Sequence, residues 1–131
     1  MLGPVHPAVE ESWNVKYLCL VYEDEGKVDA LPERESSTIG DEDRVYLDEL
    51  RSSGHCLASV RLQPAETAAT ICVHNGSVFI SDAAAGSKKR LGAVHLIDAR
   101  DLNDVIRIAG KMPSARLGCI EVRPLEECEP G

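Results

Sequence analysis

The apolar positions of the chain fall into six short runs that predict β-strands. Residues 15–22 (VKYLCLVY) are rich in β-branched and aromatic side chains, which favours a central, buried strand. The pair Asn75-Gly76 is a strong signal for a two-residue hairpin turn between two later runs. The other five strands are predicted over residues 55–62, 67–73, 77–81, 93–98 and 118–122.

Two segments have the spacing of amphipathic helices. A first helix is predicted over residues 42–53, with Thr38 or Asp41 as its N-cap. A second is predicted over residues 102–112, where Asp101 is a suitable N-cap and apolar residues recur every three or four positions. The polar residues 23–37, by contrast, predict a loop.

The order of these elements predicts an α+β fold. Without the hairpin the order is βαββαβ, which is that of the ferredoxin-like fold, so the hairpin is interpreted as an insertion. The first and last strands then lie side by side, which makes Cys19 and Cys119 candidate neighbours. Two helices cover one face of such a sheet, and a second copy packed sheet to sheet is the economical way to cover the other. A homodimer is therefore predicted.

Composition predicts a cytoplasmic domain over residues 15–125, between a flexible extension (1–14) and an acidic tail (126–131). No apolar run approaches the roughly 20 residues of a membrane span, and the N-terminus lacks the pattern of a secretory signal. The net charge of -8 disfavours nucleic acid as a partner.

Motifs for metals and cofactors are missing from the sequence. The five cysteines include no CxxC pair, and they are interpreted as reduced residues that mostly pack in the interior. No phosphate-binding loop and no dinucleotide-binding glycine pattern occurs either, so neither a metal nor a cofactor is predicted.

Three stretches carry a resemblance to a known family. They are KYLCLVY, LQPAETAATICVHNGSVFISD and LGAVHLIDARDLNDVIRIAGKMPSARLGCIEVRPLEE, which together span about Lys16 to Glu127. The chain resembles the YCII-related family, and within it the branch named for a DGPF motif. The most specific matches are residues 62–64, 96–98 and 121–124.

The resemblance implies a ferredoxin-like fold assembled as a dimeric α+β barrel. Members of this branch are small bacterial cytoplasmic proteins, often encoded beside sigma factors of the extracytoplasmic-function type, and most have no established activity. A few relatives in the wider superfamily resemble enzymes, including a dehydrochlorinase and cofactor-free ring-modifying enzymes. Sigma-factor association is thus an expectation that rests on the resemblance alone.

This chain departs from the family pattern where a site is expected. The branch usually has Thr or Ser, then Asp-Gly-Pro-Phe, and a Lys before Leu-Gly. Here Ser81-Asp82 and Lys88 are kept, but three alanines replace Gly-Pro-Phe. Enzyme-like relatives pair a His at the start of the first helix with an Asp, and residues 39–42 contain no His. Both departures weaken the expectation of catalysis.

His95 and Asp82 are the candidate catalytic residues. Strand alternation places His95 on the same face as Ala93 and Ile97, and on the inter-sheet face it would suit a general base. The alternative is a hydrogen-bonded histidine in place of an aromatic residue. Asp82 is either a base beside His95 or a carboxylate that shapes its own turn.

Lys88, Arg61 and Arg123 are the candidate ligand-binding residues, for a small anionic or aromatic ligand. Lys88 belongs to the basic cluster at 88–90 in an acidic chain, which would attract an anion or simply be a solvated loop. Arg123 would hold a ligand's acid group or pair with a carboxylate across the dimer.

Two functional hypotheses follow, with a third and weaker one. The first is a dimeric small-molecule-binding or accessory protein, without catalysis or with weak catalysis. The second is a cofactor-free lyase or isomerase that uses His95 and Asp82 on an aromatic or dicarbonyl substrate. The third is a purely structural dimer with no ligand.

Overall fold

The computed structural model describes residues 15–81 and 89–126. The predicted extension (1–14) and residues 127–131 of the predicted tail lie outside this range. Two short 3-10 helices, Ala65–Thr67 and Pro113–Leu117, join the main elements. These are β1 (Val15–Asp24), α1 (Glu25–Ala30), α2 (Glu33–Ser52), β2 (Cys56–Arg61), β3 (Thr70–His74), β4 (Ser77–Ser81), β5 (Lys89–Ala99), α3 (Leu102–Gly110) and β6 (Gly118–Pro124).

Four strands form one sheet in the order β2-β5-β1-β6, and all its pairings are antiparallel. This is an α+β architecture compatible with the ferredoxin-like fold. The predicted pairing of the first and last strands is confirmed, but Cys19 lies opposite Val122, and Cys119 lies opposite Tyr22. The register therefore separates the two cysteines, which were expected to be neighbours.

Strands β3 and β4 form a separate two-stranded antiparallel sheet. The turn between them has positive φ at both central residues, 52° at Asn75 and 79° at Gly76. Glycine and asparagine adopt this left-handed region most readily, and a two-residue hairpin turn of this type requires positive φ at both of its central residues. The Asn-Gly signal thus marks the hairpin correctly.

The hydrophobic core lies between one face of the four-stranded sheet and helices α2 and α3. The sheet contributes buried side chains from alternate positions of β1 and β5, including Tyr17, Cys19 and Ile97. Both helices contribute aliphatic side chains, and the Tyr46 hydroxyl of α2 donates a 2.8 Å hydrogen bond to the Ile108 carbonyl of α3. Both helices thus occupy the same side of the sheet.

The prediction of a loop over residues 23–37 is wrong, because this segment is largely helical. α1 is capped by Asp24, whose Oδ1 accepts hydrogen bonds from the backbone N–H groups of Gly26 (2.9 Å) and Lys27 (3.3 Å). Pro32 favours an extended residue before it and separates α1 from α2, which begins nine residues before the predicted start at Glu42.

The polar first half of α2 explains why periodicity missed it. The buried residues of this helix are Asp43, Leu47 and Leu50, all in its second half. Its first turn instead carries Glu33 and Glu35, whose charges favour the positive end of the helix dipole. A helix without an apolar stripe gives no amphipathic signal.

A substitution of Gly118 tests the close contact between β1 and β6, and a substitution of Gly40 is its control. A Cβ at Gly118 would collide with the Tyr22 carbonyl oxygen and lie 2.9 Å from its carbonyl carbon, and backbone atoms there cannot move aside. Gly118→Ala is therefore expected to lower the free energy of unfolding by about 2–3 kcal/mol. Gly40→Ala in α2, where the Cβ meets nothing within 4 Å, should raise it by about 0.5–1 kcal/mol. Urea unfolding of both variants measures this, and equal effects would contradict the account.

Candidate functional site

The sheet face that the helices leave uncovered, hereafter the open face, is mainly aliphatic. The cross-strand register aligns Leu18 with Leu96 and Leu20 with Val94 along the centre of the sheet. These side chains are half-buried, whereas Val60 on the edge strand β2 is 54% exposed. The open face therefore presents a continuous apolar surface. By strand alternation, the residues on the open face are Lys16, Leu18, Leu20, Tyr22, Ala58, Val60, Val94, Leu96, Asp98, Cys119, Glu121 and Arg123.

Polar groups occupy the border of the open face along β6. Arg123 and Glu121 lie opposite Leu18 and Leu20, and the Arg123 guanidinium is 3.5 Å from the Glu121 carboxylate. The Tyr22 hydroxyl donates to the other Glu121 oxygen at 3.4 Å. Arg123 thus lies on the open face, and in this structure its partner is a carboxylate of its own strand.

His95 lies on the opposite side of the sheet, in the interior beneath the helices. Its side chain is 1% exposed, and it occupies the same cross-strand row as Ser59 and Cys19. Nδ1 is 2.8 Å from the Ser59 hydroxyl, and buried Nε2 has no hydrogen-bond partner in the part of the chain that the structure describes. A ligand on the open face would therefore not contact His95.

The surroundings of His95 favour its neutral form. Burial lowers the pKa of His95, and the Asp43 carboxylate opposes this shift only in part. Asp43 is itself buried on α2, where it accepts a 3.2 Å hydrogen bond from the backbone N–H of Ser114. The Ser59–His95 contact links β2 to β5, whereas Asp43 links α2 to the second 3-10 helix.

Among the described residues, no activated thiol lies beside His95. Burial raises the pKa of Cys19 to about 11, with a smaller contribution from Cys56, whose own pKa is also raised by burial. Both thiols therefore stay protonated near neutral pH and behave as small apolar residues. Cys72 on the hairpin and Cys119 on β6 are exposed, by contrast, which corrects the expectation that they pack inside.

The other predicted site residues are spread over the molecule. Arg61 is on the helix-side face at the sheet edge, with its guanidinium 3.5 Å from the Glu23 carboxylate. Asp82 and Lys88 lie outside the described residues. Arg90 of the same basic cluster forms ion pairs with Glu25 (3.1 Å) and Glu66 (3.0 Å). The roles proposed for Asp82, Lys88 and Arg61 stay predictions.

Sequence reasoning missed the partners of His95 and Arg123. Ser59 faces the core because β2 has an irregularity between Cys56 and Ala58, which shifts the alternation by one residue. Neither polar pattern nor spacing marks this shift. Glu121 could have been predicted as the partner of Arg123, since residues two apart on a strand share a face.

The family comparison agrees with this fold. A family model described as YCII-related domain matches residues 15–129. The chain therefore belongs to the YCII-related family, while its place in the DGPF branch stays a prediction. A search of curated proteins finds no match.

The described residues form neither a metal site nor a membrane-spanning helix. Within residues 15–81 and 89–126, no three His, Cys, Asp or Glu side chains converge to hold a metal ion. In the same residues, no helix has both the length and the apolar character needed to cross a bilayer.

The neutral state of His95 predicts a specific pH dependence of stability. Since the folded-state pKa lies below the unfolded value of about 6.5, the unfolded chain takes up the proton first as pH falls. The free energy of unfolding should therefore decrease as pH falls below about 6.5. His95→Asn, which keeps an amide near Nδ1, should show a smaller decrease between pH 7.5 and pH 5.

The matched control is His74→Asn, because His74 is exposed on the hairpin. This variant should keep the pH dependence of the wild-type protein in denaturant unfolding. If His95→Asn keeps the pH dependence of the wild type, protonation of His95 does not lower the free energy of unfolding, and the prediction is contradicted.

Proposed function

We propose that the protein is a homodimer that packs through its open face and binds a small anionic or aromatic molecule between its two sheets, with little or no catalysis. The observation that carries this proposal is the open face itself, which combines an aliphatic centre with polar side chains at its margins. Aliphatic surface gains free energy when it leaves water, and a polar border orients what binds there.

The hairpin extends the apolar surface available to a partner copy. Side chains on both of its faces point to solvent, and five large apolar residues are each more than half exposed: Ile71, Val73, Val78, Phe79 and Ile80. An isolated two-stranded hairpin is marginally stable in water, so a partner surface would stabilise it. Contiguous exposed apolar surface of this kind is typical of interaction sites.

In a symmetric dimer, a second copy of the same chain covers this apolar surface. In an isologous interface each open face meets its equivalent, so one apolar surface covers the other. Tyr22, Glu121 and Arg123 then lie at the border of the enclosed space, where Arg123 can exchange Glu121 for the acid group of a ligand. An aromatic ring would pack on the aliphatic centre.

Weak or absent catalysis follows from what the open face carries. Among the described residues, the open face has no histidine. His95 is on the helix side, and His74 is on the hairpin. The Nδ1 atom of His55 lies 2.9 Å from the Asp98 carbonyl oxygen. The lyase or isomerase alternative has one observation in its favour, the unpartnered Nε2 of His95. Burial of the ring argues against it. Cytoplasmic location and sigma-factor association stay predictions from sequence.

Dimerisation is tested by placing a charge on the open face. Val60→Glu puts a carboxylate into the proposed interface, where desolvating it should weaken association by on the order of a hundredfold or more. Val45→Glu is the matched control, because Val45 is a similarly exposed valine (60%, against 54% for Val60) on α2. Analytical ultracentrifugation should show a dimer for the wild type and Val45→Glu, and a monomer for Val60→Glu. A monomeric wild type at 50–100 μM, roughly the range for modest interfaces, rejects the dimer.

Ligand binding is tested with 1-naphthoate, which combines an aromatic body with one carboxylate. Amide and methyl NMR shifts should change in a saturable way at Leu18, Val94 and Leu96, and Arg123→Ala should weaken the binding about three- to fivefold. The monomeric Val60→Glu variant should lose it. Shifts confined to the helical layer would contradict the proposed ligand site and leave the dimer intact.

A further inference from the structure

A groove opens on the helical layer, on the opposite side of the molecule from the open face. It lies between α1, the first half of α2 and the second 3-10 helix, and it encloses about 550 Å³. This volume falls within the roughly 300–1,000 Å³ typical of small-molecule sites. The groove exists because residues 25–30 and 33–40 are helical rather than a loop.

The floor of the groove is apolar. Leu31 and Ile39 are half-buried there, Leu117 is buried, and Ala30 adds a small exposed side chain. Ala30 leaves room that a larger residue would fill. An aliphatic or aromatic body therefore fits along this floor and loses contact with water when it binds.

The rim of the groove carries more positive than negative charge, in a chain with a net charge of -8. Arg116 is neutralised by Glu42, with their side chains 3.0 Å apart. Lys27 and Arg34 also line the groove, and neither has a side-chain partner within the described ranges 15–81 and 89–126. Glu35 offsets one of these two cations, which leaves a single positive charge.

We propose that this groove binds an amphipathic monoanion: a small molecule with an aliphatic or aromatic body and one carboxylate. The apolar floor selects the body, while Arg34 and Lys27 select the acid group. Arg34 can bind a carboxylate through two parallel N–H donors. This site goes beyond the proposed function and does not depend on the dimer, because no open-face residue lines it.

Octanoate is the first probe, with 1-octanol and octylammonium as matched ligands of the same length. NMR titration of the full-length protein should give saturable shifts in α1, the first half of α2 and around Arg116–Leu117. Affinity should fall in the order octanoate, octanol, octylammonium. Equal affinity for octanoate and octylammonium, or shifts that do not saturate, would overturn the proposal.

Variants separate the charge from the apolar floor. Arg34→Ala should raise the apparent Kd for octanoate about three- to fivefold, as expected for an exposed ion pair. Ala30→Trp should fill the groove and abolish binding without changing any charge. The control is Arg44→Ala, since Arg44 is an exposed arginine of the same helix that pairs with Asp41 outside the groove. A loss of affinity in Arg44→Ala equal to that in Arg34→Ala would show only a general charge effect.

The same titration on Val60→Glu keeps this proposal distinct from the dimer. Octanoate binding should persist in that variant, because the groove belongs to a single chain. Octanoate shifts that instead map onto Leu18 and Leu96 would place the ligand on the open face and reject the groove as its site.

Discussion

In residues 15–81 and 89–126, the helices cover only one face of a four-stranded sheet, and most other features follow from that imbalance. β1 and β5 lie in the middle of the sheet, so their side chains alternate between a helix-covered core and the open face. Burial of the core side stabilises the fold, since each large aliphatic side chain contributes roughly 1.5–3 kcal/mol when fully buried. The open face gains no such contribution within one chain.

The two sides of the sheet also differ in their polar chemistry. On the core side, His95 contacts Ser59 and feels the charge of buried Asp43, and burial favours the neutral imidazole. On the open side, polar groups lie at the margins: Tyr22, Glu121 and Arg123 toward β6, and the facing residues Lys16 and Asp98 near one end of the central strands. A polar cluster sealed in the core serves the architecture, whereas polar groups beside an exposed apolar surface are available to a ligand. This contrast is the reason for favouring binding over catalysis.

Much of the fold was predictable because strands and one helix carry strong local signals. The Asn75-Gly76 turn and the Asp101 cap, whose carboxylate accepts a 2.9 Å hydrogen bond from the Asp104 N–H, are both confirmed. α1 was missed although Asp24 is a recognisable cap, because Gly26 and Pro32 suggested a loop. The first half of α2 gave no periodic signal, since it buries no side chain.

The candidate site was less predictable than the fold, because it depends on register. Alternation correctly groups His95 with Ala93 and Ile97, yet it cannot say which face the helices cover. The irregularity between Cys56 and Ala58 then decides that Ser59, rather than Ala58, meets His95. The groove depends in turn on α1, and the polar composition of residues 25–30 predicted a loop there instead of a helix.

The central claim is that the open face is covered in solution by a second copy, and solvent access to its methyl groups tests this most directly. Methyl NMR with a soluble gadolinium chelate measures how fast water-exposed methyl groups relax. The account predicts that Leu18, Leu20, Val94 and Leu96 are protected at concentrations where Val45 is fully accessible, and that Val60→Glu removes this protection. If these methyl groups relax equally fast in the wild type and in Val60→Glu, the open face is bare and the account is contradicted.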